Sequence, residues 1–211
     1  MKKSSDLKIM LKETFIIFAI TLIAGVMLGY VHELTADPIA KQKEKEVQEA
    51  CKTVFAQASK FEVIQEGVDA TLASSLLENG VKIGTIYHAL GNDGEKLGYV
   101  VESTSSQGYG GNIVLYLGIT NTGVLNDISI LEISETPGLG MRANDVLVPQ
   151  FHDKQADEFI YTKQGAVNAN EIDAISGATI TTKAVTNAVN GGIAAVKQLD
   201  PNLSQGGASN E

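Results

Sequence analysis

The sequence predicts an α+β fold carried behind a single membrane-spanning helix. Three observations predict it. An apolar run without charges lies near the N-terminus, strand-like runs then succeed one another with short turns, and helical patterns flank them at both ends. That order favours a mainly antiparallel sheet with flanking helices over repeated βαβ units.

The apolar run, Thr14 to Val31, is 18 residues long. As a helix it rises about 27 Å, close to the roughly 30 Å hydrocarbon core of a bilayer. Lys2, Lys3, Lys8 and Lys12 precede it, offset by Asp6 and Glu13, and His32, Glu33 and Asp37 follow. This asymmetry predicts residues 1–13 in the cytoplasm, a transmembrane helix over 14–31 in the cytoplasmic (inner) membrane, and the main domain outside the cytoplasm. A cleaved signal peptide competes with that reading. Against it, the run exceeds a usual signal core and no clean small-x-small site follows. A helix buried in a soluble protein would be striped, not continuously apolar.

Residues 32–60 read as a stalk and first helix. Within 38–58, Val47, Cys51, Val54, Phe55 and Ala58 share one face, and the preceding KQKEKEVQE is solvated. The domain proper is expected over 61–200. A short strand is expected at 61–66 and another at 81–90. Asn92-Asp93-Gly94 then turns the chain into a strand at 97–102, forming a hairpin. Asn112 to Thr120, rich in branched and aromatic residues with little alternation, predicts a central strand buried on both faces. Thr120-Asn121-Thr122-Gly123 forms a turn, and Val124 to Ser134 contains the next strand. Residues 145–159 read as a loop followed by a short helix. Thr182 to Leu199 is the clearest helix, with Val185, Ala188, Val189, Gly192, Ile193 and Val196 on one stripe. Gly191-Gly192 weakens it locally or permits close contact. Pro201 ends it, and the tail 201–211 lacks apolar periodicity and reads as disordered.

Beyond His32 there are 12 basic and 23 acidic residues, and Arg142 is the sole arginine. An acidic chain without tryptophan is a poor match for nucleic acid. Cys51 is the single cysteine, so no internal disulfide forms, and no CxxC or CxxCH motif is present. The core must therefore hold without disulfides, which a domain of this size permits. His32, His88 and His152 have no metal-ligand spacing, and no metal is expected. No nucleophile–His–Asp pattern points to hydrolysis.

The sharpest motif is Asp173-Ala174-Ile175-Ser176-Gly177-Ala178-Thr179, just ahead of the last helix. Gly177 permits backbone angles closed to other residues. Ser176, Thr179, Thr181 and Thr182 offer hydroxyls beside the free amides and positive dipole end of a helix, a place suited to phosphate. Plain helix capping by Thr181 or Thr182 accounts for the same residues. Upstream, the run Ile130 to Gly140 ends in Glu135-Thr136-Pro137-Gly138-Leu139-Gly140, a rigid tight loop. A further glycine-rich segment is Gly108-Tyr109-Gly110-Gly111, where Tyr109 either contacts a ligand or packs the loop.

These three segments resemble the FMN-binding domain family of the Rnf and Na⁺-translocating NADH:quinone reductase complexes. The resemblance covers roughly residues 80–198 and the N-terminal anchor, and the layout is similar to the Rnf G-subunit family. It implies FMN joined covalently to Thr179 by a phosphoester. It also implies that Asp173, Ser176, Gly177 and Ala178 are read by a flavin transferase, which takes FMN from FAD with Mg²⁺. Glu135, Thr136, Gly138 and Leu139 would line one edge of the flavin beside Tyr109. Thr182 and Lys183, in the matching helix continuation, join the cofactor-binding set. The implied partners are the other integral membrane, iron–sulfur and flavin subunits of an Rnf complex. That complex couples ferredoxin:NAD⁺ oxidoreduction to Na⁺ or H⁺ translocation, and no residue here suggests a pocket for NAD or ferredoxin. The alternatives are the C subunit of the quinone reductase, a stand-alone flavin reductase, and an anchored assembly or sensory protein without redox function.

Overall fold

A computed structural model describes residues 2–205 of the chain. It divides into two units, with the boundary between Glu46 and Val47. The described residues of the first unit are all helical. Helix α1 is a single element, Lys2–Val54, where the sequence suggests a span and a separate later helix. The intervening residues explain the continuity: Ala, Gln, Glu and Lys dominate 39–50, and all are strong helix formers. Thr35 also turns its hydroxyl back to the Val31 carbonyl at 2.9 Å. Pro38 lies inside the helix. An 18-residue window of the apolar stretch reaches a mean hydropathy of 2.3 with no side chain buried, as a bilayer-facing helix requires.

The second unit is built on five strands, β1 Lys60–Glu66, β2 Val81–Leu90, β3 Lys96–Ser105, β4 Ile113–Thr120 and β5 Leu125–Glu132. They pair antiparallel in the order β1-β2-β3-β4-β5. The β2–β3 hairpin turns at Asn92-Asp93-Gly94 as the sequence suggests, with Gly94 at φ +76°. β4 is buried on both faces but lies next to the edge strand, and β3 is the middle one. The pleat explains the double burial. Ile113, Leu115, Leu117 and Ile119 face the larger core, while Tyr116 faces a smaller core made with Ala50, Cys51 and Val54 from the end of α1 and Phe55 just after it.

The larger core is covered by a long C-terminal helix, Thr179–Leu199, here α5. Every residue of its predicted apolar stripe is buried. Close approach explains the glycine pair, since a methyl on Gly192 would sit 2.5 Å from Leu117 Cδ1.

Several segments differ from the sequence reading. Helix α2, Ala70–Glu78, fills a stretch that the sequence reading leaves unassigned; Leu72, Ala73 and Leu76 share a half-buried face, but a stripe of two turns is too short to stand out. The order within 145–159 is reversed. Short helices α3, Ala143–Val146, and α4, Val148–Phe151, come first and the loop follows. Pro149 explains the second start, because it stands in the first turn of α4, where a proline costs no hydrogen bond. Two three-residue strands, β6 Ile160–Thr162 and β7 Glu171–Asp173, pair parallel and are too short to read. Finally, Pro201–Gln205 is an ordered 3₁₀ turn rather than disordered tail. Burial of Leu203 in the core holds it. The rest of the predicted disordered tail, 206–211, lies outside the described residues.

Candidate functional site

The turn Ala174–Ala178 brings the chain from β7 to α5. Its backbone is fixed at several points. The Ala174 amide donates to the Thr162 carbonyl at 2.8 Å, and the Ala178 amide to the Ile175 carbonyl at 2.9 Å. The Ile175 amide donates to Thr182 Oγ1 at 3.1 Å, and that hydroxyl donates onward to the Ala178 carbonyl at 3.0 Å. Gly177 takes φ +78°, which a side chain would strain. A methyl there would also lie 3.1 Å from Leu139 Cδ2.

α5 starts at Thr179, three residues before the predicted start. Its cap position is Ala178, which has no side-chain capping bond. Neither Thr181 nor Thr182 is the cap: both are inside the helix and buried, and the Thr182 hydroxyl is spent on the turn. The first-turn amides of Thr179, Ile180 and Thr181 are thus left without a capping side chain at the positive end of a 21-residue helix.

That helix end opens on a cleft of about 520 Å³, lined by Tyr109, Glu135, Thr136, Leu139, Gly140, Gly177, Ala178, Thr179, Ile180 and Thr181. The volume is in the range of small-molecule and cofactor sites. The two upstream loops meet through Glu135. Its carboxylate, 8% exposed, accepts from the Tyr109 amide at 2.8 Å and the Gly110 amide at 3.5 Å. The carboxylate therefore ties Gly108–Gly111 to the loop after β5. Gly140 lets that loop approach α5, because a methyl there would sit 2.5 Å from Thr181 Oγ1. Tyr109 is 71% exposed and Ile180 53%, so the cleft has an open apolar rim.

Of the residues that the sequence singles out, Gly177, Ala178, Glu135, Thr136, Leu139 and Tyr109 line this cleft together with Thr179. Gly138 shapes the loop at φ +77° without lining it. Asp173, Ser176, Thr182 and Lys183 are also off the cleft. Thr182 is buried beneath the turn, Lys183 is exposed on α5, and the Asp173 carboxylate accepts from the Ala166 amide at 2.6 Å. Thr181, one of the hydroxyls the sequence offers to a phosphate, lines the cleft, as do Gly140 and Ile180, which the sequence does not single out as cofactor contacts. The sequence signal for these two is adjacency alone: Gly140 closes the ETPGLG loop, and Ile180 follows Thr179. A second cavity, about 390 Å³, involves Ile119, Leu125, Ile193, Val196 and Leu203, and none of the predicted site residues lines it. Among the described residues no group of His, Cys, Asp and Glu is arranged to hold a metal ion.

An anion-ready helix end on a cleft with an apolar rim suits a ligand with a phosphate and a planar ring system. Residues 108–194 match the FMN-binding domain family, which makes this an FMN-binding domain. Residues 1–54 match the RnfG N-terminal region. The G subunit of the Na⁺-translocating ferredoxin:NAD⁺ oxidoreductase complex of Acetobacterium woodii is 34% identical over 207 residues, 97% of this chain and 98% of that protein. The G subunit of the proton-translocating ferredoxin:NAD⁺ oxidoreductase complex of Clostridium ljungdahlii is 35% identical over 182 residues, 82% of this chain and 88% of that protein. The chain belongs to the Rnf complex G-subunit family. The crystal structure of Shewanella oneidensis NqrC overlaps 59% of this chain and 61% of its own, with TM-score 0.46 and 21% identity.

Proposed function

We propose that this chain is the membrane-anchored electron carrier of an Rnf-type complex, holding FMN in phosphoester linkage to Thr179. The complex would couple ferredoxin:NAD⁺ oxidoreduction to Na⁺ or H⁺ movement, the ion differing between the two relatives' own names. The observation that carries the reading is Thr179 at the uncapped first position of α5, on the wall of the cleft. The amides of Thr179, Ile180 and Thr181 supply donors for a phosphate there. Leu139, Ile180 and Tyr109 supply apolar surface for a ring. Bound FMN supplies the redox chemistry, and the chain supplies binding, orientation and retention. A covalent link keeps the carrier from diffusing away from its partners.

For attachment, the Thr179 oxygen forms a bond to the FMN phosphorus of FAD. The pyrophosphate P–O bond breaks and AMP leaves. The hydroxyl proton passes to a base of the flavin transferase, which acts with Mg²⁺. The small residues Gly177 and Ala178 keep the acceptor hydroxyl approachable. Partners are the other membrane, iron–sulfur and flavin subunits of the complex.

Intact mass of the chain coexpressed with the transferase tests this directly. The wild type should carry one FMN adduct and a fluorescent band after denaturation, and Thr179→Ala should lose both completely. Thr179→Ser, keeping a hydroxyl, should retain part. An unmodified wild type overturns covalent attachment and favours the anchored, non-redox alternative.

The basic N-terminal flank supports a cytoplasmic N-terminus with the FMN-binding domain outside, in the inner membrane. Asp93 is exposed in the β2–β3 turn, and Cys51 is 1% exposed. In Asp93→Cys, a membrane-impermeant maleimide should label intact spheroplasts, with the parent chain as blank. Labelling only after permeabilisation contradicts the orientation.

A further inference from the structure

Asp173 heads the segment that carries Thr179, yet its side chain does not line the cleft. It points to a different task. The chain between β6 and β7, residues 163–170, is an eight-residue loop whose side chains are exposed or half-buried, so apolar packing does not hold it. Hydrogen bonds hold it instead: the Gln164 amide donates to Thr162 Oγ1 at 3.2 Å, Asn170 Nδ2 to the Glu158 carbonyl at 3.3 Å, and two carboxylates take the central amides. Asp173 Oδ1 accepts from the Ala166 amide at 2.6 Å. Glu171 Oε2 accepts from the Val167 amide at 2.7 Å and the Asn168 amide at 3.2 Å. Glu171 Oε1 accepts from Asn168 Nδ2 at 2.7 Å. Bonds to an ionised carboxylate are stronger than neutral ones. The same donors, the Val167 amide first, hold the Glu171 carboxyl below its ordinary pKa.

The held loop is coupled to the acceptor turn through consecutive anchored residues. The Asp173 amide donates to Gln150 Oε1 at 2.7 Å, and Gln150 Nε2 donates to the Asp173 carbonyl at 3.2 Å. Ala174 is tied to Thr162, and Ile175 to Thr182. At the loop's tip Val167 is 88% exposed. Four hydrogen bonds to the two carboxylates thus help fix a loop that presents an apolar side chain to solvent. That ordering brings no burial within this chain, and a loop ordered in advance loses less freedom when another protein binds it.

We propose that Asp173 and Glu171 are positioning residues for flavin attachment, holding loop 163–170 as part of the surface that the flavin transferase recognises. The inference rests on reading Thr179 as the acceptor. The transferase is the partner because the loop's far stem, β7, runs directly into the acceptor turn. Glu171 lies outside the seven-residue motif, so the inference extends recognition beyond it. Asp173 acts through its hydrogen bond to Ala166, so an amide in its place serves as well.

The test uses the full chain, purified without flavin in detergent and incubated with transferase, FAD and Mg²⁺. Attachment is followed by in-gel fluorescence and intact mass at several chain concentrations. Glu171→Ala and Asp173→Ala should each slow attachment at least tenfold at low chain concentration, through a higher KM with kcat little changed. Glu171→Gln and Asp173→Asn keep an acceptor oxygen and should stay within about threefold of wild type, since a neutral bond replaces a charge-assisted one. Hydrogen exchange should report faster exchange at 166–168 in the alanine variants, with α5 still protected. Should Glu171→Ala fail to fold, Asn168→Ala removes one bond from an exposed residue and should still slow attachment measurably. Wild-type rates in the alanine variants with a loosened loop overturn the inference while leaving Thr179 attachment standing. Asp173→Asn as slow as Asp173→Ala also overturns it, because the charge itself would then be read. Slowed electron transfer with normal attachment would overturn it too, assigning the loop to a redox partner instead. A wild type that is never modified removes the underlying reading and this inference with it.

Discussion

Helices α2 and α5 begin in opposite ways. α2 is capped by Asp69, whose Oδ1 accepts from the Leu72 amide at 2.8 Å. α5 begins at Ala178, which has no capping side chain, although Ser176, Thr179, Thr181 and Thr182 all stand close to it in the chain. One of those hydroxyls, that of Thr182, is turned back to brace the preceding turn. The difference follows burial. α2 has nine residues and buries none, so local bonds must define its start. α5 buries twelve residues against the sheet and forms without a cap. Tertiary packing thus releases the α5 terminus for another use, and the released amides face the cleft that holds Thr179.

The comparison breaks if closing the open end has no consequence. Ala178→Ser installs a hydroxyl able to accept from the Ile180 or Thr181 amide. It should stabilise the domain by about 0.5–1 kcal/mol, as caps of this kind do. The same bond competes for the amides that a phosphate would use. Attachment of FMN by the transferase should therefore slow roughly fivefold, equivalent to about 1 kcal/mol. Thermal melts and fluorescence-detected attachment rates read the two effects separately. A stabilised variant modified at the wild-type rate would mean that the open helix end plays no part in attachment.

What is legible in the sequence follows the same division. The apolar run, the β2–β3 hairpin, the doubly buried β4 and the stripe of α5 are visible, because each buries or exposes side chains with a clear period. α2, β6 and β7 are not. α2 has only a two-turn, half-buried stripe, and three-residue strands are shorter than any period. At the site, the motifs point to loops that the fold brings together, and most of the residues singled out line one cleft. The residues that lie off the cleft share one feature: sequence adjacency does not tell contact from support. Thr182 and Asp173 sit within the motif region and act on backbone amides, of Ile175 and Ala166 respectively. Glu135 looks like a flavin contact, and its carboxylate is committed to the Tyr109 and Gly110 amides. Only the fold could reveal those pairings, since 25 or more residues separate Glu135 from its donors.

The smallest effect on attachment is expected at the capped helix, and it sharpens the contrast. Asp69 holds α2 at the Leu72 amide, and its other oxygen accepts from Gln198 Nε2 on α5. Asp69→Ala removes both bonds. The loss of the cap should cost about 1 kcal/mol, read as a lower urea midpoint at unchanged slope. The exposed contact to Gln198 should add little. Attachment at Thr179 should be unaffected, because Asp69 reaches the far, C-terminal part of α5 and is not among the residues lining the cleft. An attachment defect in a folded Asp69→Ala chain would show that the start of α5 depends on how its other end is held. The two helix starts would then be coupled, not independent solutions to the same problem.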